Sequence, residues 1–251
     1  MELVLTNFLL IAIGGCLGSF ASMLIYRLPR LNESLNIFEP RSFCPQCKTQ
    51  LSFFQLIPFL GYLTSKGKCG DCKNKISPIY LANEIIVTLL IIFFINVMGA
   101  NNSTVWIVIA IVFILYVQSM MDQETLLLSQ PLSLLLLIIG LSLNIWQGFF
   151  AIPIDALLGL VFGYGLLFSI NLLHRILKNV DGIGSGDFLL LGGIGSTFGA
   201  SSIGPILLIG SSITLCLYLL RGKKEKELPL GFGLGFGAIL YCILFVAIST
   251  Q

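Results

Sequence analysis

The chain has 251 residues, 56% of them hydrophobic and only 10% charged, with a net charge of +2. A soluble domain carries about 25% charged residues, so this composition and a mean hydropathy of +0.97 exclude an ordinary soluble protein. They predict a chain threaded repeatedly through a membrane, with lipid as a partner along its length; nucleic acid is not expected as one.

The N-terminus does not read as a cleaved signal. It carries Glu2 in place of a basic segment, and its apolar run continues from Phe8 to Tyr26 and Arg27, long enough for the ~20 residues that cross a bilayer. Apolar runs then recur, predicting spans at 5–26, 79–98, 104–121, 126–146, 152–174, 187–200, 203–220 and 229–249. Backbone groups in lipid must pair within their own segment, so each span is helical. The expected fold is an all-α polytopic membrane protein of about eight transmembrane helices with a small cytoplasmic loop domain. The run at 187–200 is short and rich in Gly and Ser, which leaves seven as the alternative count. In domain terms, residues 1–27 are the first transmembrane helix, 28–78 a loop, and 79–251 the transmembrane core.

That loop holds Cys44-Pro45-Gln46-Cys47 and Cys69-Gly70-Asp71-Cys72. Paired thiols at this spacing suit a tetrahedral Zn²⁺ site, because one tight knuckle presents two sulfurs. Four sulfur ligands leave no open position, so the metal is expected to be structural. Two disulfides, or a redox pair, are the alternatives. Cys16, Cys216 and Cys242 fall inside spans and read as ordinary buried residues.

The fourteen Lys and Arg fall in three stretches: Arg27 to Lys75, Arg175 to Lys178, and Arg221 to Lys226. Basic residues favour cytoplasmic loops. With eight spans all three stretches lie inside, and both termini lie outside.

Acidic residues within or beside spans are functional candidates by default. Here they are Glu84, Asp122, Glu124, Asp155, Asp181 and Asp187. Asp155 reads as solvated or helix-capping, and Asp181 as a surface charge. Glu84 is expected either to orient the active site, to pair with a Lys or to serve structure. Asp122 closes the third span. Asp187 opens the sixth, after Gly184-Ser185-Gly186, whose glycines would let backbone or substrate approach closely. Two crossings separate the two aspartates, so topology returns them to one face. Two carboxylates in contact share a proton; one then takes a proton from water while the other polarises a carbonyl.

At this point the residues resemble a known family, the type IV prepilin peptidases of the GxGD aspartic protease class. The likeness runs through Gly18-Ser19-Phe20 with Tyr26-Arg27-Leu28-Pro29, Arg41-Ser42 before Cys44, Gly67-Lys68-Cys69, and Ile76-Ser77-Pro78 with Tyr80 and Glu84. It continues in Gly184-Ser185-Gly186-Asp187, Gly192–Gly195 and Leu228-Pro229-Leu230-Gly231. The resemblance implies cleavage of a basic leader from prepilins or pseudopilins at the cytoplasmic face of the bacterial inner membrane. Asp122 and Asp187 fall on the family's catalytic pair, and Cys44, Cys47, Cys69 and Cys72 on its zinc ligands. It also implies N-methylation of the new terminus by S-adenosylmethionine, for which no residue is assigned. The chain departs from the family pattern at Ser22, at Ser129-Gln130 and at Leu189. The alternatives are a methyltransferase or adaptor without peptidase activity, or a small-solute transporter using intramembrane carboxylates.

Overall fold

The structure is a computed structural model that describes residues 2–31, 36–220 and 228–249, with the side chains of 2–6 left aside. The basic stretch Arg221–Lys226 lies outside the described residues. Nine helices make up the described chain, in the order α1 (Glu2–Arg27), α2 (Leu60–Thr64), α3 (Ile79–Met98), α4 (Ser103–Thr125), α5 (Gln130–Gln147), α6 (Pro153–Lys178), α7 (Ser185–Phe198), α8 (Ala200–Leu220) and α9 (Leu230–Ser249). No strand occurs among the described residues, only two isolated antiparallel bridges in the cysteine loop. The protein is thus all-α, as its composition demands.

Every predicted span coincides with a helix. Seven of them are long and apolar enough to cross a membrane. The exception is α7. Its 14 residues cover about 21 Å at 1.5 Å per residue, short of a ~30 Å hydrocarbon core. A connection expected near 200–203 is also absent: α7 and α8 are joined by Gly199 alone, at φ +86°, a positive φ that a side chain would strain.

The chain forms two compact units, residues 1–105 and 106–251. In the first, α1 and α3 pack side by side. Glycines let them close up: a Cβ on Gly14 would meet the Thr88 backbone at 2.7 Å, and one on Gly18 would meet the Glu84 backbone. In the second unit α7 is the hub, packed against α5, α6, α8 and α9. Gly159 on α6 presses on the Gly195 backbone, and Gly163 on Leu191. Membrane helices associate through such small residues, because lipid supplies no hydrophobic drive between them. Asn144 on α5, fully buried, ties the opposite end of α7. Its amide donates to the carbonyls of Ser196 and Thr197 and accepts the N–H groups of Phe150 and Ala151.

Two of the cysteines expected to be buried in spans, Cys16 and Cys216, are exposed on their helices; Cys242 is buried. A thiol tolerates a lipid-facing position as a small apolar group.

Candidate active site and metal centre

Asp122 lies one turn from the end of α4, with 5% of its surface exposed. Its Oδ2 accepts the Phe232 N–H at 2.8 Å, and the Gly231 N–H donates to the same carboxylate. These are first-turn amides of α9, so a helix N-terminus supplies both donors and a favourable dipole. The segment Leu228-Pro229-Leu230-Gly231 therefore belongs to the site. A Cβ on Gly231 would come within 3.1 Å of the Asp122 carboxyl carbon, so a larger residue there would press on the carboxylate.

Asp187 is the third residue of α7. Its carboxylate accepts the N–H of Gly184, the helix N-cap, while its own N–H donates to the Gly184 carbonyl at 3.1 Å. The Asp187 side chain thus caps the first turn of its own helix by taking the N-cap N–H. A Cβ on Gly184 would approach Asp187 Oδ2 to 3.2 Å. Asp122 and Asp187 lie within electrostatic reach of each other. The other oxygen, Asp187 Oδ1, is buried and has no hydrogen-bond partner among the described residues. Such an orphan is costly.

One side chain links the two aspartates. Leu128, in the α4–α5 connection, packs on Gly186 beside Asp187 and on Gly231 beside Asp122. The glycine before the second aspartate thus admits Leu128.

Two amides, both overlooked in the sequence, hold the segments that carry the aspartates. Gln118, one helical turn before Asp122, donates to the Ser129 carbonyl and the Ser133 hydroxyl and accepts the Ser129 N–H at 2.8 Å. It pins the α4–α5 connection in both directions. Asn171, on α6, accepts the N–H groups of Gly182 and Ile183 at 2.8 and 3.0 Å and donates to Asp181 at 3.1 Å. It fixes the residues that lead into Gly184–Asp187. Asp181 is exposed, as a surface charge should be, yet it also anchors this clamp. The available signal was a polar amide inside an apolar run.

Of the roles considered for it, Glu84 shows the structural one. Its Oε2 accepts the Phe59 N–H at 2.7 Å, and the Ser19 hydroxyl donates to the same carboxylate. Glu84 thus joins α3 to the cysteine loop.

The four cysteines converge. Their sulfurs all lie within 4.8 Å of one another, with Cys44–Cys72 and Cys47–Cys69 each 3.9 Å apart. A tetrahedron of sulfurs ~2.3 Å from Zn²⁺ has edges of roughly 3.8 Å, and a disulfide needs about 2.05 Å. The donor set fits a metal and not the two-disulfide alternative. Each knuckle is built alike. The N–H of Cys44 donates to Thr49 and that of Cys69 to Asn74, and Lys48 and Lys73 follow each pair at φ +61° and +58°. Four thiols this close cannot ionise alike. The Thr49 hydroxyl, 2.7 Å from its sulfur, and the Thr49 backbone lower the Cys47 thiol to about 6. At Cys72 an Asn74 amide that lowers the thiol is outweighed by desolvation and the neighbouring sulfurs, which push it up to about 11.

A family model described as "Bacterial Peptidase A24 N-terminal domain" matches residues 12–98, and one described as "Type IV leader peptidase family" matches residues 108–220. Among relatives, the prepilin leader peptidase/N-methyltransferase of Aeromonas salmonicida (strain A449) is 30% identical over 86% of this chain and 82% of its own length. Proteins of the same name from Neisseria gonorrhoeae and Stutzerimonas stutzeri are 30% and 32% identical. They cover 87% and 89% of this chain and 84% of their own lengths. No solved structure matches the chain. With both family models in register with the two units, and relatives matched over most of their length, the chain belongs to the type IV leader peptidase family.

Proposed function

We propose that the protein is an inner-membrane aspartic endopeptidase that removes the leader from prepilins or pseudopilins, with Asp122 and Asp187 as the catalytic pair. The observation that carries this reading is that the two carboxylates, from α4 and α7, lie within electrostatic reach of each other, with one oxygen of Asp187 left without a partner.

Their surroundings divide the work. Asp122 receives two backbone N–H groups at the start of α9 and is the better holder of negative charge. It takes the proton from water. Asp187, with one oxygen unpartnered, carries the proton that polarises the scissile carbonyl. Water then adds directly, and no acyl-enzyme forms. The substrate's apolar helix lies in the bilayer, so its peptide bond must unwind locally to reach the pair.

Zn²⁺ at Cys44, Cys47, Cys69 and Cys72 would fold the loop; with four thiolates it has no place for substrate. The relatives' names include an N-methyltransferase, and we carry that step, with S-adenosylmethionine as donor, to this chain. A cavity of about 180 Å³ in the first unit, lined by Ser19, Tyr26, Tyr62, Tyr80 and Glu84 among others, is smaller than the ~300–1,000 Å³ usual for such ligands. It does not fit the donor.

We place the cysteine loop and the aspartates on the cytoplasmic side, from the Lys and Arg distribution. A probe on Asn101 should react with an impermeant reagent from outside, and one on Lys178 should not. For the activity, purified protein is incubated with a prepilin and the product weighed. Loss of the leader supports the peptidase, and a further 14 mass units (one methyl replacing hydrogen) the transferase. An intact prepilin overturns the reading.

A further inference from the structure

Residues 28–78 read as a loop outside the bilayer, but part of it runs far along the membrane helices. A Cβ on Gly15 of α1 would meet the Phe59 ring at 2.6 Å and Pro58 at 2.8 Å. Gly15 is twelve residues before Arg27, the end of α1, and so about 18 Å along the helix from that end. The adjacent Gly14 packs on Thr88, at the midpoint of α3, which runs Ile79–Met98. A 20-residue helix is about as long as the ~30 Å hydrocarbon core is thick. Two helices therefore set Phe59 near mid-bilayer.

We propose that Phe53–Thr64 is a re-entrant element that dips beside α1 and α3 to about the middle of the bilayer. Its outward side chains, Phe53, Phe54, Leu60 and Leu63, rest on lipid acyl chains. These four are 72%, 77%, 55% and 60% exposed. Phe8, Leu9 and Ile13 of α1 and Ile85 and Leu89 of α3, the two helices the element lies beside, are likewise exposed. No Asp, Glu, Lys or Arg occurs between Lys48 and Lys66, although both flanks of the loop are basic. The proposal rests on the chain's being embedded in a membrane, not on its peptidase activity or its orientation.

Non-helical backbone survives at this depth only when its polar groups are satisfied by protein, and at the tip of the element the protein supplies partners. Pro58 has no N–H to place. The Phe59 N–H, at φ +61°, goes to Glu84 Oε2. Leu60 donates to Pro58, Gly61 to Ile57 and Leu63 to Phe59, and the Thr64 hydroxyl donates to the Leu60 carbonyl. A carboxylate inside a span is costly without partners. Glu84 sits there because the tip of the element needs an acceptor.

The test is depth-dependent quenching in the full chain, with its only two tryptophans removed as Trp106→Phe and Trp146→Phe. Leu60→Trp and, separately, Leu63→Trp are reconstituted in vesicles of lipid brominated on the acyl chains. Phe38→Trp, at the 85% exposed Phe38 of the same loop, is the aqueous control. Both test variants should lose most of their fluorescence to brominated lipid and resist aqueous iodide, with the control behaving oppositely. Iodide quenching of both test variants without quenching by brominated lipid overturns the proposal. A second measurement needs no substitution: in unaltered protein in lipid nanodiscs, amides of 57–63 should resist hydrogen exchange. Their complete exchange within seconds would equally overturn it.

Discussion

Phe232 donates its backbone N–H to the carboxylate of Asp122 across 110 positions of sequence, so the start of the last helix is a working part of a site built on α4. Asp187 arrives from α7, and Leu128 fills the space between the glycines beside each acid. Three separated segments are thereby held within one small volume.

Asp122→Asn and Asp187→Asn should each lower prepilin cleavage by about 10⁴-fold or more, the scale on which a catalytic unit loses one member. The double variant should be little worse than either, because the pair acts as one. Asn is nearly isosteric, so yield and detergent behaviour should hold. Glu124→Gln, two positions from Asp122, should keep most of its activity. Single-turnover rates at saturating prepilin measure the effect, and a well-folded Asp187→Asn protein cutting at the original rate would refute the assignment.

Asn171→Ala should lower kcat by about 10²-fold, the cost of a misplacement of roughly 1 Å, with KM little changed. The clamp predicts its own rescue. In the double variant Asn171→Asp/Asp181→Asn the carboxylate at 171 still accepts from Gly182 and Ile183, and the amide at 181 donates back. Activity should return toward the starting value in this swap and not in Asn171→Ala/Asp181→Ala. A purely structural role for Asn171 would show instead as lost yield with normal kcat in the folded fraction.

Glycine substitutions should divide by surroundings. Gly195→Ala places a Cβ against the Gly159 backbone, which cannot yield as a side chain would. It should cost about 1–3 kcal/mol, more than the ~1 kcal/mol that alanine gains in a helix. Gly204→Ala on α8, where nothing lies within 4 Å, should be neutral or stabilising. Thermal aggregation midpoints in detergent read out the sign at both positions.

Freshly purified, chelator-free protein should hold one zinc per chain, and Cys→Ser at any of the four ligands should lower zinc content and yield. Acid has a definite sign. The Cys47 thiol is lowered from 9.0 to about 6. The stability its thiolate lends the loop is complete above about pH 9 and lost as pH falls through about 6. Protons also compete with metal for every thiolate. Zinc should stay through dialysis near neutral pH and be lost progressively as the pH is lowered, as measured by metal content at stepped pH.

Much of this architecture was legible in residue order. Spans follow from hydrocarbon thickness, so the 79–98 run matches α3 residue for residue. The paired cysteines specify a site because two-residue spacing leaves a knuckle few other shapes. What escaped the sequence were the polar residues whose partners are backbone. Gln118 lies within a run that reads as apolar from Trp106 to Met121, and only the folded connection shows the Ser129 amide and carbonyl waiting for it. Asn171 and Glu84 are alike in this: their partners are amides of residues 182–183 and 59. Backbone donors freed by irregular segments carry no mark in the sequence. The depth of Phe59 was hidden for a related reason, since it depends on which glycine of α1 receives the ring.

The shortness of α7 bears on how the chain is made. From Leu190 to Phe198 every residue of α7 is buried, so this helix is solvated by other helices and not by lipid. A segment of 14 residues with four glycines and serines after Asp187 gains little by leaving an insertion channel for the bilayer on its own. Its entry should wait on α8 and α9, and chains truncated after residue 200 should leave α7 uninserted in a glycosylation-site mapping assay while the full chain inserts it. The peptidase site would then come into existence only once α9 has been made.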